Sequence, residues 1–349
     1  MFVSQPEVIL DMKQKSNNDL PVYIQDLNSS YGKETKTIMK ITWLLMLILE
    51  ICLYSSYSPL VHICQVDGKI PFSSASLVLF TEIFKLGISV MMYLPEVIEK
   101  GIKIPSISFF IPLCVPAILY TGNNNISVHM QQEMDPTTYQ VLSNLKIAST
   151  AVLYRIIMKR KLSRIKWLSL GLLTLAGVID SFSGNRNIKL KDSVYEIHVT
   201  AKGLLMMFTY CFISGLSGVY TEYIFKQNLK CSIHQQNIFL YIVGIILNGS
   251  MWQFNRINAA NYFNDESNSL LSGFTVYTWL IVLSQAVNGL IMSVIMKYGS
   301  NITRLFIISC AMIMTTVFSI LIFNIQLNNL FVCALILVLV ALVLYHQSA

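Results

Sequence analysis

Apolar residues collect into ten long runs separated by short polar connections, at 40–61, 74–94, 107–130, 136–157, 165–183, 202–225, 234–252, 274–296, 301–323 and 326–345. About 20 apolar residues in helical conformation cover the roughly 30 Å of hydrocarbon in a bilayer, so each run predicts a transmembrane helix. The expected fold is therefore an all-α polytopic membrane protein. Residues 1–37 are polar and contain no apolar signal core, which predicts a disordered tail and an uncleaved first span.

Polar positions inside the runs recur. Displacing the chain by 165 residues lays Asn123 over Asn288, Tyr139 over Arg304, Thr150 over Thr315 and Ala176 over Ala341 in one gap-free register. Five spans per half is an odd number, so the second half inserts upside down relative to the first. The expectation is two inverted five-helix repeats, 38–183 and 202–349, joined by the connection 184–201. Carriers built this way hold their substrate near the bilayer midplane, where the repeats meet.

Composition supports the membrane reading: 54% of the 349 residues are hydrophobic and 12% charged, with a mean hydropathy of +0.58. The net charge of +7 is spread over connections between apolar runs, which argues for topology and against nucleic acid. With both termini cytosolic, 16 Lys and Arg face the cytosol and six face the other side, while Lys85, Lys146 and Arg155 lie within spans. Both termini are assigned to the cytosol on that bias. Seven cysteines lack CxxC or His-paired spacing and read as core filler, so no metal and no cofactor are expected. HExxH, GxSxG and Walker patterns are missing too, which argues against an enzyme.

The candidate chemistry lies in polar groups that hydrocarbon disfavours. Residues 123–125 read NNN, and Tyr139, Ser143, Lys146 and Thr150 are spaced to share one helical face. Further on, Asn237 and Tyr241 stand one turn apart, and Ser284, Gln285, Asn288 and Ser293 precede Lys297. Lysines for phosphate, amides for base edges and tyrosines for stacking suit a nucleotide, and would equally suit another organic anion. A static ion pair of Lys146 with Glu50 or Glu82 is the competing explanation. Gly215 and Gly218, with Ser214 and Ser217, form a small-residue face for close helix packing.

In the blocks YTGNNN, YQVLSNLKIAST, SGLSGVYTE, QQNIFLY and QAVNGLIMSVIMKYGSNITRLF, the chain resembles the Golgi nucleotide-sugar transporters. These are the CMP-sialic acid and UDP-galactose carriers of the drug/metabolite transporter superfamily. MDPTTYQVLSNLKI and HICQVDGKIPF are most similar to a UDP-sugar branch of that family. The resemblance implies a ten-helix carrier in the Golgi membrane, with 184–201 lumenal, that exchanges a cytosolic nucleotide sugar for the nucleoside monophosphate. It also implies substrate contacts at Asn124, Asn125, Tyr139, Lys146, Asn237, Tyr241 and Lys297. Two departures from the pattern bear on base and sugar preference: Ser143 and Asn144 precede Leu145 and Lys146 where CMP-sialic acid carriers have Tyr-Gln, and Arg304 stands in NITRLF where many relatives have Lys.

The expected mechanism is alternating access around Lys146 and Lys297 as a phosphate clamp. Partners are the nucleotide sugar, the monophosphate and the lipid bilayer, with a homo-oligomer or complexes with other nucleotide-sugar transporters as further associations. The alternatives are a non-transporting scaffold that organises such carriers and a carrier for a different organic anion.

Overall fold

The computed structural model describes residues 33–64, 71–101, 107–133, 142–159, 162–185, 201–227, 229, 231–263, 270–323 and 329–347. Ten α-helices account for nearly all of them: α1 (Lys33–Ile63), α2 (Ser74–Lys100), α3 (Ile107–Glu133), α4 (Leu145–Ile157), α5 (Arg164–Asn185), α6 (Ala201–Gln227), α7 (Ile233–Phe263), α8 (Val276–Tyr298), α9 (Asn301–Phe323) and α10 (Asn329–Gln347). One helix answers each apolar run. Six of them, α1, α2, α6, α7, α8 and α10, are long and apolar enough to cross a membrane. In α3 and α9 the apolar stretches are shorter, 110–123 and 301–315.

The bundle turns apolar side chains outward and polar ones inward. Leu45, Met91, Ile111, Leu205, Phe208, Leu321 and Val343 are exposed, whereas Glu50, Ser89, Thr221, Glu222, Gln236, Asn237 and Lys297 are buried. That is the distribution a lipid solvent selects, since an apolar exterior costs nothing there and polar groups are kept for the interior. The chain is a polytopic membrane protein.

Helix starts are written locally. Thr275 opens α8 with a reciprocal capping box, its hydroxyl accepting from Thr278 N while Thr278 Oγ1 accepts from Thr275 N. Ser300 accepts from Thr303 N at 3.1 Å at the start of α9, and Ser163 accepts from Lys166 N at 3.2 Å at the start of α5. Pro112 and Pro116 lie inside α3 without ending it. A membrane helix tolerates such residues where its neighbours satisfy the freed carbonyls.

The helix pairs follow a rule. α5 packs on α10 and α2 on α7; α3 packs on α6 as α8 does on α1; α4 packs on α6 as α9 does on α1; α3 packs on α7 as α8 does on α2. Advancing each label by five exchanges the members of every related pair. The small residues of α6 are what let α4 approach: a Cβ at Gly215 would stand 3.1 Å from Thr150 N and from Ser149 Oγ. Ser149 donates to Cys211 O of α6 at 2.7 Å across the same contact.

Candidate functional site

Lys146 is the second residue of α4, which follows two helical residues, 142 and 143, and a turn at Asn144. Asn144 just before it has αR backbone angles, and its carbonyl accepts from Ile147 N at 3.0 Å, a three-residue bond that tightens the first turn. The Lys146 carbonyl is taken by Thr150 Oγ1 at 2.6 Å and Ser149 Oγ at 3.0 Å. Its ammonium has no hydrogen bond or ion pair among the described residues. The expected competitors are engaged elsewhere or not at all: Glu82 holds Lys85 at 2.6 Å on its own helix, and neither Glu50 oxygen has a partner.

The charged neighbour of Lys146 is another cation, Arg304 of α9. Gly218 on α6 makes room for this guanidinium, since an added Cβ would lie 2.8 Å from Arg304 Nη1 and from Asn301 Oδ1. Nη1 reaches Tyr120 Oη and Asn301 Oδ1 at 3.5 Å each, the outer limit of a hydrogen bond, and Nε is buried without a partner. A guanidinium offers five donors. Most of this one's capacity is unspent.

Tyr120 of α3 connects this pair to a second cluster. It lies in the neighbourhood of Lys85 of α2 and Tyr241 of α7. The Lys85 ammonium lies 5.2 Å from the Tyr241 ring centroid, and the Tyr241 hydroxyl is 3.2 Å from Ser293 Oγ of α8. Gly289 provides the space, because a Cβ there would come within 2.5 Å of Lys85 Cε. Around these helices, the side-chain carbonyls of Asn123, Asn237 and Asn288 are buried with no donor supplied. Unpaired buried acceptors are rare enough to need a reason. Three on α3, α7 and α8 leave acceptors for a ligand's donors.

Lys297 is placed differently. It is fully buried, and its ammonium donates to Cys231 O at 2.5 Å in the connection between α6 and α7. Burial pushes the Cys231 thiol up, against the pull of the nearby Lys297 charge. Cys231 and Tyr298 line an open pocket of about 490 Å³ at the ends of α2, α7 and α8, together with Glu96, Glu99, Lys100 and His234. The neighbours of Lys297 are thus Cys231 and Glu96, whereas that of Lys146 is Arg304. Beside it, Lys226 and Glu222 of α6 form a buried pair at 2.5 Å. They clamp the connection between α8 and α9: Lys226 donates to Gly299 O, and Glu222 accepts from Asn301 N at 2.6 Å. A carboxylate at the first turn of α9 also suits its helix dipole.

Of the other expected contacts, Asn237 and Tyr241 are buried on α7 one turn apart. Asn124 and Asn125 fall on α3, with side chains outside the described set, and Tyr139 lies outside the described residues. Arg304, Tyr120 and Lys85 were not among the residues expected to touch substrate. Their signals were present in the sequence, as the Arg in NITRLF, the Tyr opening YTGNNN and a lysine inside an apolar run.

Residues 35–346 match the family model described as nucleotide-sugar transporter. The chain is 42% identical over 327 residues to the probable UDP-sugar transporter protein SLC35A4 of Xenopus tropicalis, covering 93% of this chain and 98% of that one. To the human protein of the same name it is 39% identical over 315 residues, covering 88% and 94%. A crystal structure at 9% sequence identity superposes with a TM-score of 0.62 over 87% of this chain and 98% of its own, a likeness of fold.

Proposed function

Because the chain belongs to the nucleotide-sugar transporter family, we propose that it carries a UDP-linked sugar from the cytosol into the Golgi lumen in exchange for the nucleoside monophosphate. Transport, and not catalysis, is what that family is named for. The base follows the name of the similar vertebrate proteins. The observation that carries the reading is the juxtaposition of Lys146 and Arg304. Two neighbouring cations lie inside a membrane bundle with no carboxylate bonded to either among the described residues, and a phosphate supplies the missing charge.

The helices are proposed as two inverted repeats, α1–α5 and α6–α10, supported by the exchange of packing pairs under a five-helix shift. In this reading Lys146 and Arg304 take the phosphates. Asn237, Tyr241 and Lys85 lie toward the nucleoside and sugar, and Asn124, Asn125 and Tyr139 complete the lining. Lys297 joins only after releasing Cys231 O, which makes it a contact of a second conformation. Alternation follows if an empty site with facing cations resists occlusion and a bound anion relieves it, to the extent that the anion binds the occluded form more tightly. The scaffold alternative draws on ion pairs locked across the bundle. The half-buried pair Glu82–Lys85 and the buried pair Glu222–Lys226 each lie within a single helix instead.

The test is uptake of labelled UDP-sugars into liposomes that contain the purified protein and are preloaded with UMP. Saturable uptake that needs internal UMP is expected. Arg304→Gln and Lys146→Gln are each expected to reduce it by roughly 10-fold or more, the weight of a charge-assisted hydrogen bond. Uptake equal to that of empty liposomes would end the transport reading.

A further inference from the structure

Glu50 has no part in the site described so far. It sits within α1, fully buried, with both carboxylate oxygens lacking a hydrogen-bond partner. On α9, which packs along α1, stands Arg304 with its Nε–H buried and equally unpartnered. The two helices are also joined by a 3.2 Å bond from Thr315 Oγ1 to Ser55 O. Arg304 is the charged group that acts on Glu50. Tyr54, one turn along α1, feels both, and Tyr120 of α3 reaches the guanidinium. The other helix packed along α1 is α8, whose Met292, Ile295 and Met296 share a hydrophobic cluster with Trp43, Met46 and Ile51 of α1; its lysine, Lys297, is bound to Cys231 O.

A carboxyl group in such a place is neutralised by a cation or by a proton. We propose that Glu50 and the phosphate of the cargo are alternative counter-ions of Arg304, and that Glu50 takes up a proton when the phosphate arrives. The inference rests on the cargo reading above. In the empty carrier the Glu50 carboxylate offsets the Arg304 charge through space, with no bonded contact between the two, and Lys146 stays uncompensated. In the loaded carrier phosphate oxygens take its donors, the displaced carboxylate accepts one proton from the aqueous side then open, and charge is conserved around the cation. Two anions on one guanidinium would repel each other strongly at low dielectric, so occupancy alternates. Glu50 therefore adds a proton to the transport cycle.

The linkage has a definite direction. Acid protonates Glu50, frees Arg304 and tightens phosphate binding; alkali restores the internal pair and weakens it. The experiment measures UMP, CMP, GMP and AMP binding to the purified full-length protein at about pH 6 and about pH 8, for wild type, Glu50→Gln and Glu50→Asp. Comparison with Glu50→Gln removes the titration of the nucleotide itself. Wild type is expected to lose about 10-fold more affinity than Glu50→Gln over this interval, within the limit of tenfold per pH unit for one linked proton. Glu50→Asp is expected to keep the excess pH dependence, which separates proton uptake from a packing effect. Equal pH dependence in wild type and Glu50→Gln overturns the inference and leaves the cargo reading intact. If no monophosphate binds at either pH, the cargo reading fails. Infrared spectroscopy then decides the proton exchange: a protonated-carboxyl C=O band that titrates in wild type, is altered by Arg304→Gln and is absent in Glu50→Gln supports it, and no such band overturns it.

Discussion

An ammonium group inside a membrane bundle is costly unless something compensates its charge. That of Lys146 has no bonded partner to offset the cost and faces a second cation. Lys146→Met should therefore leave the protein as stable as before or more so, by on the order of 1 kcal/mol, while abolishing nucleotide binding. Thermal unfolding and ligand binding of the same preparation check both halves of that statement. A clear loss of stability would mean that Lys146 is a structural tie. The same reasoning made Lys146 legible in the sequence, because a charge inside an apolar run demands an explanation. Arg304 was harder to see. Near the end of a span an arginine passes for a cytosolic anchor, and its inward course depends on the missing side chain of Gly218 on another helix.

At the scale of elements, hydropathy located each of the ten described helices but not every end. The seventh apolar run stops near residue 252, yet α7 continues to Phe263, because no glycine or proline interrupts the polar turns beyond 252. α2 likewise passes Pro95 to reach Lys100. Hydropathy records contact with lipid, whereas helix ends are set by backbone breakers and caps. The small-residue face of α6 was legible as a packing surface, and Gly215 fulfils that role against α4. Gly218 does something further by admitting the Arg304 guanidinium. A Cβ there meets the movable ends of Arg304 and Asn301, so Gly218→Ala should alter stability little. It should nevertheless displace the guanidinium and weaken nucleotide binding by roughly 10-fold, the weight of one charge-assisted hydrogen bond. Parallel measurements of Tm and Kd test this, and equal affinity in the variant would detach Gly218 from the site.

For the whole molecule, chain order brings four elements to one centre. α4 supplies Lys146, α9 Arg304, α3 Tyr120 and α1 Glu50, while α2 and α7 bring Lys85 and Tyr241 beside them. No local sequence window contains this set; the clamp expected from the sequence pairs Lys146 with Lys297, one lysine from each half. At its end of α8, Lys297 is held by the carbonyl of Cys231. The central claim is that the facing cations bind phosphate, and the most direct measurement is thermal stabilisation of the purified protein by UMP, CMP, GMP and AMP, in wild type, Lys146→Gln and Arg304→Gln. The account predicts selective stabilisation by UMP, lost in both variants. Stabilisation that persists in both, or none by any monophosphate in wild type, would contradict it.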